Sequence, residues 1–252
     1  MAKICSFVSV KGGTGKTTTT VNTGLTLARE GFRVLVLDAN LEGSNVSFHL
    51  GLTTHDLATV HDVLNRECEP GEAIYTHPSG LNLMLGGSRL GDLGVKADGF
   101  KDLINSVRKD FDFLIVDCSS GLGSDVKSVI DSSHEVVIVT NPELPAVVDA
   151  LKIVKYCEAN DYYIRGVVVN KSSNKSELLS DDIESILGRP VISEVPDDSE
   201  VRIALRERTP IVEFKPKRRS ARAFKNVAFK IGGLGRLEPL TIWDRILNKF
   251  IK

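Results

Sequence analysis

The fold of this 252-residue chain is decided by one stretch near its N-terminus, Lys11-Gly12-Gly13-Thr14-Gly15-Lys16-Thr17-Thr18. An apolar, strand-like segment of residues 4–10 precedes it, and a helical pattern begins at Lys16. A strand, a glycine-rich loop and a helix in this order form a phosphate-binding loop. Glycines let backbone N–H groups approach phosphate oxygens, and the helix N-terminus adds free donors and a partial positive charge. The stretch therefore predicts a site for the phosphates of a nucleotide.

The side chains of this loop predict ATP and Mg²⁺ as cofactors. Lys16 would neutralise the β- and γ-phosphates, the Thr17 hydroxyl would coordinate Mg²⁺, and Thr18 would bind the α-phosphate. Backbone amides would supply the remaining donors to the nucleotide. The predicted nucleotide-binding residues of the loop are Gly12, Gly13, Thr14, Gly15, Lys16, Thr17 and Thr18.

Short apolar runs alternate with helical patterns along the rest of the chain. Continuous runs such as Val136-Val137-Ile138-Val139 favour strands that are buried on both faces. Strands are predicted at residues 4–10, 33–37, 81–85, 113–116, 136–140, 166–169 and 191–195, and helices at residues 16–29, 56–64, 99–107, 146–159, 177–187, 200–206 and 220–231. The alternation predicts one α/β domain over residues 1–231, with a doubly wound, mostly parallel sheet and helices on both faces.

Val10 stands where a phosphate loop usually has its first glycine, which leaves the pattern K-G-G-x-G-K-T-T. In this form the motif resembles the deviant Walker A motif of the MinD/ParA family of P-loop ATPases. The resemblance covers residues 3–231, and residues 38–50 look closest to archaeal MinD-like proteins. It implies the P-loop NTPase fold, ATP hydrolysis and a homodimer in the ATP state. Lys11 matches the lysine that reaches across the dimer in that family, where it acts as an arginine finger does.

Two carboxylates follow predicted strands, at the end of the sheet where ligands bind in open α/β folds. Asp117 resembles the Walker B aspartate and Asp38 the first switch, so the predicted metal site comprises Thr17, Asp38 and Asp117. Asn40 stands where many relatives have a second aspartate that positions the attacking water. Asparagine binds water but cannot accept a proton near neutral pH. We expect slow hydrolysis; the predicted catalytic residues are Lys11, Lys16, Asp38, Asn40 and Asp117.

Two further segments resemble the adenine side of the family's site. Asn170 ends a predicted strand, and its amide would match the donor and acceptor of adenine. Pro196 and Asp197 resemble the loop that packs against the base. The guanine-specific N-K-x-D element is missing after Asn170, so ATP is predicted over GTP.

The C-terminal residues form a predicted linker and an amphipathic helix. Residues 232–239 are rich in glycine and end in proline, which is typical of a linker. As a helix, residues 240–252 place their apolar side chains on one half of the wheel and a net cationic set on the other. MinD-type proteins have a membrane-targeting helix here, so we predict that an anionic membrane is contacted by Ile242, Trp243, Ile246, Leu247, Phe250 and Ile251. Docking of this helix on its own domain or on a partner is the alternative.

Composition and charge restrict the remaining classes of function. The net charge of −1 argues against a protein that is held to nucleic acid by overall charge. Four scattered cysteines without a C-x-x-C pair argue against a metal or iron–sulfur site and favour free thiols. The N-terminus has no room for a signal peptide before residues 4–10, which predicts a cytoplasmic protein at the inner face of the membrane.

Three functions remain open from the sequence. The first is a MinD-like ATPase that positions an unidentified regulatory or cargo protein. The second is a ParA-like partition ATPase that binds DNA, supported by a basic run between Lys215 and Lys225. The third is a scaffold that binds nucleotide with little turnover, supported by Asn40.

Overall fold

Eight strands form one sheet in the computed structural model, which describes residues 1–41, 43–87, 99–235 and 237. Its order along the sheet is β3-β4-β2-β5-β1-β6-β7-β8, in which β3 and β4 pair antiparallel and every other neighbouring pair is parallel. The strands are β1 (Lys3–Ser9), β2 (Val34–Ala39), β3 (Ile74–Thr76), β4 (Asn82–Met84), β5 (Phe113–Ser120), β6 (Glu135–Thr140), β7 (Ile164–Ser172) and β8 (Val191–Pro196).

Helices cover both faces of this sheet. They are α1 (Lys16–Arg29), α2 (Val46–His49), α3 (Val60–Leu64), α4 (Phe100–Val107), α5 (Ser124–Asp131), α6 (Leu144–Ala159), α7 (Ser180–Leu187), α8 (Ser199–Arg206), α9 (Ile211–Phe214) and α10 (Arg219–Gly232), with a 3₁₀ turn at Pro70–Ala73. One apolar core lies under α3 to α7 and another under α1 and α8 to α10. The predicted α/β fold with a mostly parallel sheet is confirmed.

The central strands are apolar on both faces because each face meets a core. In β2, Leu35 and Leu37 belong to one core, while Val34 and Val36 belong to the other. Side chains alternate along a strand, so a continuous apolar run fills both layers. All six residues of β2 are buried, including Asp38 near its C-terminal end.

Several predicted boundaries were wrong, and four short elements were missed. Thr59 accepts a hydrogen bond from the amide of Asp62 and caps α3, so the helix predicted at 56–64 begins only at Val60. Helix 177–187 begins at Ser180, where the Asp182 carboxylate accepts from the Leu179 amide at 2.9 Å. Strand β3 and helices α2, α5 and α9 were not predicted; each has eight residues or fewer.

The C-terminal part of the described chain packs against the phosphate-loop helix. Phe224, Val227 and Ile231 of α10 are buried in the core that α1 shares. Gly232 is the last residue of α10 and Gly233 follows with φ of 66°, so the helix runs one residue into the predicted linker. The predicted membrane helix, residues 240–252, lies outside the described residues. Within the described part, every helix is too short or too polar to cross a membrane.

Candidate functional site

The glycine-rich loop lies at the C-terminal end of β1, between β5 and β6. Gly15 directly precedes α1 and has φ of 89°, a conformation that side chains rarely adopt. A Cβ atom at this position would also collide with the amide nitrogen of Asn170. The loop therefore needs glycine here for two independent reasons, and it is pressed against the end of β7.

Side chains from neighbouring strand ends hold the loop backbone in place. The Asn170 amide donates to the Thr14 carbonyl at 2.7 Å, and the Asn141 amide donates to the Asn170 carbonyl at 2.9 Å. The Lys171 ammonium donates to the Gly13 carbonyl at 2.7 Å. Because these side chains bind the carbonyl oxygens of Thr14 and Gly13, the N–H groups of the loop remain available for a ligand. The amide donor of Asn170 is used by the loop, so its contact with adenine stays a prediction.

Lys16 is buried against Asp117, the residue that the sequence predicts as the Walker B aspartate. Its ammonium lies 2.9 Å from Asp117 Oδ1, and its side chain is 6% exposed. Burial by itself lowers the pKa of Lys16, but attraction to Asp117 and the hydrogen bond between them outweigh it, and the pKa is raised. Lys16 is therefore charged near neutral pH and carries a fixed cation into the site.

Asp117 also organises the two threonines that follow along α1. The Thr17 hydroxyl donates to its Oδ2 at 2.6 Å, and the Thr20 hydroxyl donates to its Oδ1 at 3.1 Å. This juxtaposition of Thr17 with Asp117 was predicted from the sequence. Hydroxyl and carboxylate oxygens are the ligands that Mg²⁺ prefers.

Asp38 lies beside Asp117 in the pairing of β2 with β5. Its Oδ2 accepts from the Ser44 hydroxyl at 2.7 Å and from the amide of Val46 at 3.2 Å, and its Oδ1 accepts from the Asn40 amide at 3.1 Å. Burial, together with the negative charge of Asp117, raises the pKa of Asp38 to about 6. Two buried carboxylates side by side on neighbouring strands attract a divalent cation, so the donor set suits Mg²⁺.

A cleft of about 480 Å³ opens between the loop and the strand ends. Two hydroxyls on its wall, Ser9 Oγ and Thr14 Oγ1, are buried without a hydrogen-bond partner among the described residues. Buried polar atoms usually have partners, so these two favour a polar ligand in the cleft. The predicted residues on its wall are Gly13, Thr14, Gly15, Lys16, Thr17, Thr18, Asn40, Asn170, Pro196 and Asp197.

Lys11 and Gly12 lie outside this cleft, on the exposed rim of the loop. The Lys11 ammonium is 3.0 Å from Glu143 Oε2, and the two side chains are 47% and 55% exposed. An exposed ion pair of this kind contributes little to stability. Lys11 is therefore exposed to solvent and paired with Glu143, whereas Lys16 is buried and paired with Asp117.

Asn40 lines the cleft, but its side chain is bound to its own loop. Its amide group donates to the Gly43 carbonyl at 2.6 Å. The predicted effect of Asn40 on the rate of hydrolysis stays a prediction.

Polar residues of the site that were not predicted from the sequence include Thr20, Ser44, His49 and Lys171. Thr20 follows Lys16 by four residues, so the helical period was a usable signal. Ser44, His49 and Lys171 lie in segments that resemble the family, but no motif assigned a role to these three residues, and only the fold shows their contacts. His49 lies on α2, with Nε2 at 3.1 Å from the Thr18 hydroxyl.

Residues 5–211 match the family model of the CobQ/CobB/MinD/ParA nucleotide binding domain. An uncharacterized ATP-binding protein of Methanocaldococcus jannaschii is 34% identical over 255 residues, which covers 100% of this chain and 96% of that protein.

Two solved structures are similar over nearly the whole chain. The cell division ATPase MinD of Pyrococcus furiosus superposes with a TM-score of 0.88 at 32% identity, covering 93% of this chain and 100% of that one. The septum site-determining protein MinD of Pyrococcus horikoshii, solved with Mg-ADP, has a TM-score of 0.87 at 29% identity and covers 92% of this chain and 96% of that one.

The matched family model spans both the phosphate loop and the two buried carboxylates. ATP and Mg²⁺ are cofactors that fit this family, as the sequence predicted. The loop amides and Lys16 would hold the phosphates, while Thr17, Asp38 and Asp117 would hold the metal. The chain belongs to the CobQ/CobB/MinD/ParA nucleotide-binding family, and within it to the MinD-like ATPases.

Proposed function

We propose that this protein is an ATP-driven switch that dimerises over bound ATP, associates with the membrane through residues 240–252, and positions a partner protein. The observation that carries the proposal is the separation of the two lysines of the loop. Lys16 is buried against Asp117, whereas the Lys11 side chain is 47% exposed on the rim of the loop and is accessible from outside the chain. A cation delivered by dimerisation would stabilise charge on the transferring phosphoryl group.

Lys11 can exchange one ion-pair partner for another, and this exchange would make dimerisation reversible. In the single chain Lys11 is paired with Glu143 at the surface, where water and salt screen the attraction. A triphosphate bound in the partner subunit would carry more negative charge than the Glu143 carboxylate, and that charge would be less exposed to water. Lys11 would therefore leave Glu143 when ATP is present and return to it after hydrolysis and phosphate release.

The hydrolytic step would use Lys16, Thr17 and Asn40 on the wall of the cleft, together with Asp38 and Asp117, which are buried at the adjoining strand ends. Lys16 would neutralise the phosphates, and Thr17, Asp38 and Asp117 would fix the metal, whose role is to stabilise charge on the phosphate oxygens. Asn40 would hold water by hydrogen bonds without accepting its proton. We propose slow turnover for this reason.

Replacement of one side chain tests the slow turnover. In Asn40→Asp the donor to the Gly43 carbonyl is lost, and a carboxylate beside that oxygen is repelled towards the cleft. Single-turnover hydrolysis should be at least about tenfold faster than in the unmodified protein, the scale of a modest general-base contribution. An equal or slower rate in the aspartate variant defeats this part of the proposal.

The proposed dimer is tested by the molar mass of the protein under three nucleotide conditions. Light scattering coupled to size exclusion should give twice the chain mass with MgATP and the single-chain mass with MgADP or without nucleotide. Lys11→Ala should remain monomeric with MgATP. A monomer under all three conditions rules the proposal out.

A partition ATPase that binds DNA is the second candidate, and the charge of α10 favours it. Helix α10 contains Arg219, Arg222, Lys225 and Lys230 and no acidic residue, and Arg219 and Lys230 are exposed. A mobility shift of DNA that requires MgATP and disappears at moderate salt would support this candidate.

A further inference from the structure

His49 bridges the segment after β2 to the phosphate-loop helix. It is the last residue of α2, and its Nδ1 lies 2.8 Å from the carbonyl oxygen of Asn45 on the same segment. Its Nε2 lies 3.1 Å from the hydroxyl of Thr18 on α1. Both His49 and Thr18 lie on the wall of the cleft.

These two contacts fix the protonation of the ring. A carbonyl oxygen can only accept, so Nδ1 carries the hydrogen and donates it to Asn45. Burial lowers the pKa of His49, so its ring is neutral near pH 7 and Nε2 holds a lone pair. The Thr18 hydroxyl must then be the donor in the bond to Nε2. Its one hydrogen points at His49 and not into the cleft.

A phosphate ester oxygen near neutral pH is an acceptor and needs a donor. The Thr18 hydroxyl can donate to it only after it leaves His49, because a hydroxyl has a single hydrogen. Once the hydroxyl turns, Nε2 and the Thr18 oxygen are two acceptors side by side. Such an unsatisfied pair is unfavourable in a partly buried site.

We infer that His49 is a positioning residue that competes with nucleotide for the Thr18 hydroxyl and so weakens nucleotide binding. The inference rests on the proposed nucleotide site and adds a residue to it. It also gives the segment after β2 a mechanical link to the phosphates, since nucleotide binding breaks the bond that ties α2 to α1.

Calorimetric titration with MgADP, which avoids turnover, tests this inference through a double-mutant cycle. His49→Leu and His49→Ala remove the competing acceptor, and each should lower the dissociation constant by about fivefold, the effect of one neutral hydrogen bond. Thr18→Val should raise it by about the same factor. His49→Leu should have no effect in the Thr18→Val background, and its full effect should persist in the Thr18→Ser background.

The matched control is His55→Leu, since His55 is exposed and does not line the cleft. Its affinity for MgADP should equal that of the unmodified protein, and thermal unfolding should show that every variant is folded. An unchanged or weakened affinity in both His49 variants overturns the inference. The inference is also overturned if His49→Leu raises the affinity as much in the Thr18→Val background as in the unmodified protein. If the unmodified protein binds no MgADP at all, the proposed nucleotide site fails as well, which distinguishes the two failures.

Discussion

Gly15 is restricted both by its positive φ and by its close approach to Asn170. Gly31 has a similar φ without a close neighbour, so a comparison of the two glycines separates the two effects. Gly15 and Gly31 have φ of 89° and 90°, so a side chain is equally strained at both. A Cβ at Gly31 would meet nothing within 4 Å, whereas one at Gly15 would strike Asn170. The difference between the two positions is therefore the collision alone.

We expect Gly31→Ala to lower the free energy of unfolding by about 1 kcal/mol, the strain of a left-handed residue. Gly15→Ala should lower it by several times as much and should abolish binding of MgADP, because the loop must move away from Asn170. Urea unfolding and calorimetry measure the two effects. Equal destabilisation by the two variants would show that Asn170 does not press on the loop.

Asp38 gives the free protein a pH dependence with a defined sign. Its pKa of about 6 lies above its ordinary value of 3.8, so the folded chain holds this proton more tightly than the unfolded chain does. The stabilisation is complete below about pH 4 and is lost as the pH rises through about 6. Above that range the buried carboxylate next to Asp117 destabilises the protein that lacks Mg²⁺.

Asp38→Asn should remove this dependence. The stability of the variant relative to the unmodified protein should rise by ~2 kcal/mol between about pH 4 and pH 7, in chelator and without nucleotide. Urea unfolding at several pH values measures this change. The loss of the hydrogen bonds of the carboxylate lowers the stability of the variant equally at every pH, so it does not affect the change with pH. A difference that does not change over this range would contradict the raised pKa.

At the scale of one element, the N-terminus of α3 depends on a reciprocal cap. The Asp62 carboxylate accepts from the Thr59 amide at 2.7 Å, and the Thr59 hydroxyl takes part in the same box. Thr59→Ala should lower the free energy of unfolding by about 1 kcal/mol. Thr53→Ala, at an exposed site in the preceding loop, is the matched control and should change it by less than about 0.5 kcal/mol. Similar values for both variants would mean that the cap does not define the helix start.

Strands were predictable from the sequence where both faces of the sheet are covered. The run from Val136 to Val139 is apolar because it fills two cores, and the strand predicted at residues 136–140 matched β6 to within one residue. Strand β3 has three residues at the edge of the sheet and none is buried, so no apolar run marks it. Helix α2 has four residues, of which Val46 alone is buried, too few to show a period.

Motif residues of the site were predictable, and their supporting contacts were not. Roles for Lys16, Thr17 and Asp117 were proposed from local pattern, and the fold brings the three side chains together. Ser44 and His49 reach the site only because a loop returns to the end of β2. Contacts made by a returning loop have no signature in local sequence.

At the scale of the whole molecule, the proposal links nucleotide state to membrane attachment. A single short amphipathic helix binds a bilayer weakly, but two on one dimer bind far more strongly because the second insertion is intramolecular. Anionic liposomes should therefore sediment the protein with MgATP and release it with MgADP. A chain truncated before Leu240 should stay in the supernatant in both cases. Equal sedimentation of the full and truncated chains would exclude this role for residues 240–252.

The central claim is that the loop at the end of β1 and Lys16 hold the phosphates of a nucleoside triphosphate, whose Mg²⁺ is held by Thr17 and the two buried carboxylates. Isothermal titration calorimetry with ATP and Mg²⁺ measures this binding directly. We predict saturable binding of one ATP per chain, stronger than binding of GTP, and its loss in Lys16→Ala while that variant remains folded. No heat of binding to the folded protein, or unchanged binding in Lys16→Ala, would contradict the account.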